Sequence, residues 1–178
     1  FSAHSLPLDV IDRGHAYPAE VGASVHEVMQ RLGYRHEYLI SYQSEVGPVR
    51  WLGPSTESVL EELGKKKRTN VLVVGIAFTS DHIETLHELD IEYGELAHEA
   101  GITNFRRAPA LNGMPVFQDA LADLVAGHLA EGVACTPNYG FRCPGCVNPQ
   151  CRNVLKPVAP YKRTAVTVSP KNAQYPTK

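Results

Sequence analysis

Asn70-Val71-Leu72-Val73-Val74-Gly75-Ile76-Ala77-Phe78, followed directly by Thr79-Ser80-Asp81, is the stretch whose reading decides the fold. The run is continuous, apolar and rich in β-branched residues, which suits a parallel strand buried on both faces. Asp81 then opens a helix expected to reach about Ala100, where Gly101 stops it. A buried strand feeding directly into a helix is half of a βαβ unit.

The flanking sequence repeats that alternation. Upstream, Val21, Val25, Val28, Met29 and Leu32 fall on one apolar helical face ended by Gly33, and Tyr38–Tyr42 reads as a short strand. Ser55 or Thr56 can cap a helix through about Lys65, with Val59, Leu60 and Leu63 as its buried face. Downstream, Thr103–Arg107 reads as another strand and Pro115–Ala130 as a last helix, with Phe117, Leu121, Leu124, Val125 and Leu129 apolar. Residues 1–18, punctuated by Pro7, Gly14 and Pro18, read as loop. The expected class is α/β, a Rossmann-like parallel sheet flanked by helices with right-handed crossovers. Ligands of such sheets bind beyond the carboxyl ends of the strands. His4 and the Thr79-Ser80-Asp81 turn both sit at such ends.

Composition bounds the rest. The chain has 178 residues, 43% hydrophobic and 20% charged, with a formal net charge of -2. That is enough for one domain with a core, and it gives no electrostatic footprint for a nucleic-acid partner. The basic run Lys65-Lys66-Lys67-Arg68 is best read as complementing a helix carboxyl end. No apolar run approaches the ~20 residues of a membrane-spanning helix. Phe1-Ser2-Ala3-His4 reads as the end of a strand with nothing before it, so the chain is expected to be a piece of something longer. Three segments are expected: a domain over 1–130, a Cys-rich segment over 131–151, and a disordered tail over 152–178 with six bases and no acid.

The chemistry-bearing residues gather in three places. Asp81 and Glu84 suit a helix start, as N-cap and near-capping box. Asp81, Glu84, Glu88 and Glu92 also form one acidic stripe, in which like charges repel and Glu88 gains nothing from the cap. Carboxylates in a row can relay protons or hold a divalent cation. His4, set among Ser and Ala before the rigid Pro7, has an unperturbed pKa of ~6.5 suited to proton transfer near neutral pH. His82 is expected to be buried beside Leu86 and Leu89. His15, His26, His36, His98 and His128 have no comparable setting.

Cys135, Cys143, Cys146 and Cys151 are the third group, with Cys143-Pro-Gly-Cys-Val-Asn-Pro-Gln-Cys151 as its centre. A disulfide scaffold would spread its cysteines, whereas thiolates this close suit zinc or an Fe–S cluster. The spacing is not that of a zinc ribbon, which would repeat C-x2-C.

Phe1-Ser-Ala-His-Ser-Leu-Pro7, Trp51-Leu-Gly-Pro54, Phe78-Thr-Ser-Asp-His-Ile-Glu-Thr-Leu86, Glu88-Leu-Asp-Ile-Glu-Tyr93 and Leu111-Asn-Gly113 together resemble the ferrochelatases, in their mitochondrial form, over residues 1 to about 151. The resemblance implies a class II chelatase-like fold of two similar α/β domains with the active site between them, of which this chain supplies the carboxy-terminal one. It implies insertion of ferrous iron, the substrate metal, into protoporphyrin IX as the last step of haem synthesis. By the same resemblance His4 is the proton-accepting base. Asp81, Glu84 and Glu88 form the proton or metal path, with His4 and Glu84 on the iron side. Trp51, Phe78, His82, Ser5 and Pro7 are substrate-binding.

The cysteine segment is similar to the carboxy-terminal motif of members that carry a 2Fe-2S cluster. Cys143, Cys146 and Cys151 would be three ligands; the fourth would come from the amino-terminal domain, or from Cys135. The likeness further implies a homodimer, peripheral on the matrix side of the mitochondrial inner membrane through the missing domain. Two other readings stay open from the residues: an inactive metal- or Fe-S-binding module, and a related chelatase acting on coproporphyrin.

Overall fold

The structure, a computed structural model, describes residues 1–131. Its elements run β1 (Ser2–His4), α1 (Leu8–Asp12), α2 (Tyr17–Arg31), β2 (Ser41–Gln43), α3 (Thr56–Lys65), β3 (Asn70–Val73), a π-helix (Glu84–Glu92), α4 (Tyr93–Glu99), β4 (Asn104–Arg107) and α5 (Pro115–Glu131). β1 pairs with β2 and β3 with β4, both parallel. The two ladders meet at a parallel bridge between Ser2 and Gly75, with Ser2 N–H donating to Val74 and Ile76 N–H to Ser2. The lateral order is therefore β2-β1-β3-β4, the doubly wound arrangement in which connections leave in opposite directions from β1 and β3. The expected α/β class with parallel strands is what the chain adopts.

The pleat assigns the two faces. Ala3 and Tyr42 are register partners and pack with Val21 of α2, with Tyr17, Ile40, Leu52 and Ile76 at the edge of that cluster. On α2 the buried residues are Val21, Val25 and Met29, spaced four apart as one helical stripe. Ser2 and His4, with their partners Ser41 and Gln43, occupy the opposite face. α3 and α4 join through Leu60, Ala97 and Ile102, flanked by Leu63, Val71, Tyr93, Leu96 and Phe105. α3 starts as anticipated, with Ser55 Oγ accepting Ser58 N–H at 3.1 Å. Two of the basic residues after it pair with acids, Lys66 with Glu62 and Arg68 with Glu37.

Several elements differ from the sequence expectation. Residues 1–18 hold β1 and α1 rather than loop, because three residues suffice for a strand when β2 lies alongside. β2 covers Ser41–Gln43 rather than Tyr38–Tyr42, since the register with β1 selects the later residues and leaves Tyr38 and Leu39 exposed. The strand expected over Asn70–Phe78 is β3 over Asn70–Val73. At Val74–Ile76 the chain leaves β4 for β1, and Phe78 N–H then turns back onto Gly75. Nor is β3 buried on both faces, for Leu72 is 63% exposed.

The helix expected from Asp81 to Ala100 is two: the π-helix, with i→i+5 bonding, and then α4. Ile83, not Asp81, precedes its first residue. α5 lies where a helix was expected, but Leu121, Leu124, Val125 and Leu129 are exposed and only Phe117 is partly covered. None of the helices among the described residues is long and apolar enough to cross a membrane. The cysteines 135, 143, 146 and 151 and the basic tail lie outside the described residues.

Candidate active site

His4 ends β1, and the Gly75–Phe78 turn follows β3, its neighbour. In sheets ordered this way, ligands bind at the carboxyl ends of the two strands from which the chain departs in opposite directions, here β1 and β3. Loop residues converge there. Leu52 N–H donates to Leu6 O and Leu8 N–H to Arg50 O, each at 2.8 Å, and Pro7 bridges Trp51. The Pro7 and Trp51 loops are thus clamped side by side. The Trp51 indole N–H is buried without an acceptor, a donor left uncommitted beside the loop that carries His4.

His4 is held in one tautomer. Its Nδ1 lies 2.7 Å from the Ser5 carbonyl oxygen, which can only accept, so Nδ1 carries the proton and Nε2 keeps a lone pair. The backbone under it is fixed from both sides: Tyr17 Oη–H donates to His4 O, and Ser5 N–H donates to Gln43 O, each at 2.8 Å. Ser5 is itself fully buried, with its hydroxyl donated to Leu52 O. Its hydroxyl is committed to the loop that carries Trp51.

Glu84 stands against His82, and the charge of His4 reaches it. Its carboxyl is held below the usual carboxylate range, first by its own backbone amide, then by His82 and by His4. His82 Nδ1 is 2.6 Å from Glu84 Oε2 without the alignment of a hydrogen bond, a contact that becomes an ion pair when the imidazole is protonated. The expected burial of His82 beside Leu86 and Leu89 is not found. Its ring is a third exposed and packs edge-on to Phe78, centroids 5.0 Å apart, while Leu86 turns outward. Phe78, 9% exposed, forms the floor beneath it.

Glu88 and Asp81 are gripped rather than free. Glu88 accepts from Ser44 N–H at 2.6 Å, Gln43 Nε2 at 3.0 Å, Tyr93 Oη–H at 3.0 Å and the Ser44 hydroxyl. Burial and the adjacent Glu88 charge push the Tyr93 phenol far above its ordinary value, so it remains a donor. Asp81 accepts from Asn112 Nδ2 at 2.7 Å, Arg107 Nη1 at 2.9 Å and Thr85 Oγ1 at 3.1 Å. These partners, Asn112 foremost, hold its carboxyl below the carboxylate range. The acidic stripe is thereby resolved into Glu84 beside His82, two carboxylates held by several donors, and Glu92, exposed and 3.5 Å from His87 Nδ1.

Sequence reading assigned nothing to Gln43, Ser44, Tyr93, Arg107 or Asn112. Gln43 carried one usable signal, its place at the carboxyl end of a strand in a parallel sheet. Arg107 ends β4 and forks onto Asp90 as well, with Nη2 2.9 Å from Oδ2, contacts that exist only once β4 lies against β3.

Residues 1–129 match the family model described as ferrochelatase. The chain is 56% identical over 153 residues to the Bos taurus protein named "Ferrochelatase, mitochondrial", covering 85% of this chain and 37% of that protein. The Homo sapiens protein of the same name is 54% identical over 153 residues, 85% of this chain and 36% of its own length. That of Dictyostelium discoideum is 44% identical over 172 residues, 91% of this chain and 40% of its own length. The chain thus spans little more than a third of the length of these relatives. With the family model covering residues 1–129, the chain belongs to the ferrochelatase family.

Proposed function

We propose that this chain is the base-bearing side of a mitochondrial ferrochelatase, which inserts ferrous iron into protoporphyrin IX. The observation that carries this reading is His4, with Nδ1–H committed to Ser5 O and Nε2 left basic, at the carboxyl end of β1 within reach of the Glu84 charge. In the reaction each of two pyrrole N–H bonds breaks, its electron pair stays on nitrogen to bind iron, and the proton leaves. The porphyrin loses two protons and gains a divalent ion, so charge balances and the iron stays ferrous. His4 Nε2 accepts a pyrrole proton, and the imidazolium so formed is stabilised by the Glu84 charge, whose carboxylate takes the proton on toward solvent. Glu88 and Asp81 act as fixed anions on the same path, and Glu84 with His4 lines the iron side. Trp51, Phe78, His82 and Pro7 bound the macrocycle; Ser5 supports them from within.

The test is haem formation by the full-length protein from protoporphyrin IX and ferrous iron. His4→Ala is expected to abolish turnover nearly completely, and full activity in that variant would refute the base assignment. Coproporphyrin supplied in parallel separates the related chelatase reading. The inactive metal-module reading has less support, because the family model covers residues 1–129 and the relatives named "Ferrochelatase, mitochondrial" match over 85% of this chain.

We further propose that Cys143, Cys146 and Cys151 ligate a 2Fe-2S cluster, with the fourth thiolate from the preceding domain or from Cys135. Three thiolates within so short a segment have the right donor chemistry. A brown preparation with two irons per chain supports this, and a colourless zinc protein refutes it. The mitochondrial matrix location at the inner membrane, the homodimer and the two-domain architecture rest on family likeness. They are tested by fractionation and by sizing the full-length protein.

A further inference from the structure

Gln43 is 1% exposed, and its side-chain amide joins the π-helix to a buried polar chain behind it. Its Nε2 donates to the Glu84 carbonyl at 2.9 Å and to Glu88 Oε2 at 3.0 Å, while its Oε1 accepts from Ser2 Oγ at 2.6 Å. Because the Glu84 carbonyl and the Glu88 carboxylate only accept, the nitrogen must face them, which fixes the amide orientation. Behind it, Ser2 and Ser41 both contact Thr56 Oγ1, so a buried polar chain runs from the start of α3 to the π-helix. Gln43 is also the register partner of His4, and its carbonyl accepts Ser5 N–H. Its neighbour Ser44 has φ of 65°, a left-handed conformation unusual for serine, and turns both its N–H and its hydroxyl onto Glu88. Such conformations persist where the surrounding structure over-determines them, and they cluster at functional sites.

We infer that Gln43, assisted by Ser44, is a positioning residue of the site. It locks the first turns of the π-helix to the strand that pairs with His4, and so fixes Glu84 and Glu88 relative to the base. The inference rests on the ferrochelatase reading above. Gln43 touches no substrate in this scheme; it acts through Glu84 and Glu88. Moving a reacting group by about 1 Å can cost on the order of 10²-fold in rate.

Steady-state haem formation by the full-length protein, with protoporphyrin IX and ferrous iron, tests it in Gln43→Glu and Gln43→Leu. Gln43→Glu keeps the shape and the acceptor for Ser2, but turns a second carboxylate onto Glu88 and the Glu84 carbonyl. Expected is a fall in kcat of about 10²-fold in a protein that still folds, with a melting temperature lowered by the second buried carboxylate. KM for both substrates should stay within about twofold, the signature of an interaction made only in the transition state. Unchanged kcat in a folded variant overturns the inference, as does a raised KM with kcat intact. Should Gln43→Leu fail to fold, the isosteric Gln43→Glu decides. A wild-type protein that forms no haem instead removes the ferrochelatase reading and this role with it, an outcome distinct from an active wild type with indifferent variants.

Discussion

The Ser5 carbonyl oxygen takes the Nδ1 proton of His4 at 2.7 Å, and this contact decides which nitrogen of the ring can act as a base. Nitrogen-15 spectra of the full-length protein above the histidine titration range should show Nδ1 protonated and Nε2 bare. His4→Ala should lower turnover by roughly 10²–10⁴-fold, the usual share of a general base. His4→Asn, which can still donate near Ser5 but offers no basic nitrogen, should recover folding stability without recovering rate.

Tyr93 and Glu88 form a pair with a defined alkaline signature. The phenol is pushed up by burial and by the carboxylate, so its neutral form is favoured in the folded protein. A raised acid contributes stability that is complete below its unfolded value near ~10 and is lost as pH rises beyond it. Tyr93→Phe should cost about 1–3 kcal/mol at neutral pH, since a donor to a charged group is removed. Urea midpoints from pH 8 to pH 11 should show the gap between wild type and variant narrowing above about pH 10.

Asp81 gives the opposite limb. Asn112, Thr85 and Arg107 hold its carboxyl below the usual range, so its contribution is present above the unfolded value near ~3.9 and fades as pH falls below it. Asp81→Asn should therefore be less stable than wild type at neutral pH and converge with it in acid. Equal stability at every pH would show that the Arg107 and Asn112 contacts contribute nothing.

Gly64 sits so close to Ala100 that a Cβ there would overlap the Ala100 carbonyl oxygen and side chain. The obstacle is largely backbone, so α3 must move away from the end of α4. Gly64→Ala should destabilise by about 1–3 kcal/mol, the usual cost of overpacking, despite the better helix propensity of alanine. A raised melting temperature would contradict the contact.

Leu60 tests the packing of α3 on α4 from the other side. It is 2% exposed and meets Ala97 and Ile102. Leu60→Ala should cost about 2–5 kcal/mol by leaving a cavity that rigid neighbours cannot fill. Leu72→Ala, at an open surface of β3, should cost far less in the same denaturation experiment.

Sequence sufficed wherever the signal was local. The apolar run from Asn70, the stripe Val21–Val25–Met29 and the cap at Ser55 each record a choice made within a few residues. They yielded the α/β class, the parallel strands and the start of α3. His4, Phe78, Asp81, Glu84 and Glu88 became candidates through family resemblance, since motif spacing survives without geometry. What misled was tertiary override: an apolar run read as one long strand divides its pairing between β4 and β1, because two neighbours compete for its two edges.

By itself the sequence determined which side chains are present at the strand ends and that they alternate with helices, because periodicity and propensity are properties of neighbours along the chain. Only the tertiary structure decided which partners those side chains meet. Gln43 reaches Glu88 across 45 residues of chain, and Arg107 reaches Asp81 across 26. Hydrogen bonds over such separations exist only after the sheet has set its order, and no local pattern encodes them. That is why the acidic stripe read as one uniform row, while the fold leaves Glu84 beside His82 and binds Glu88 and Asp81 to donors.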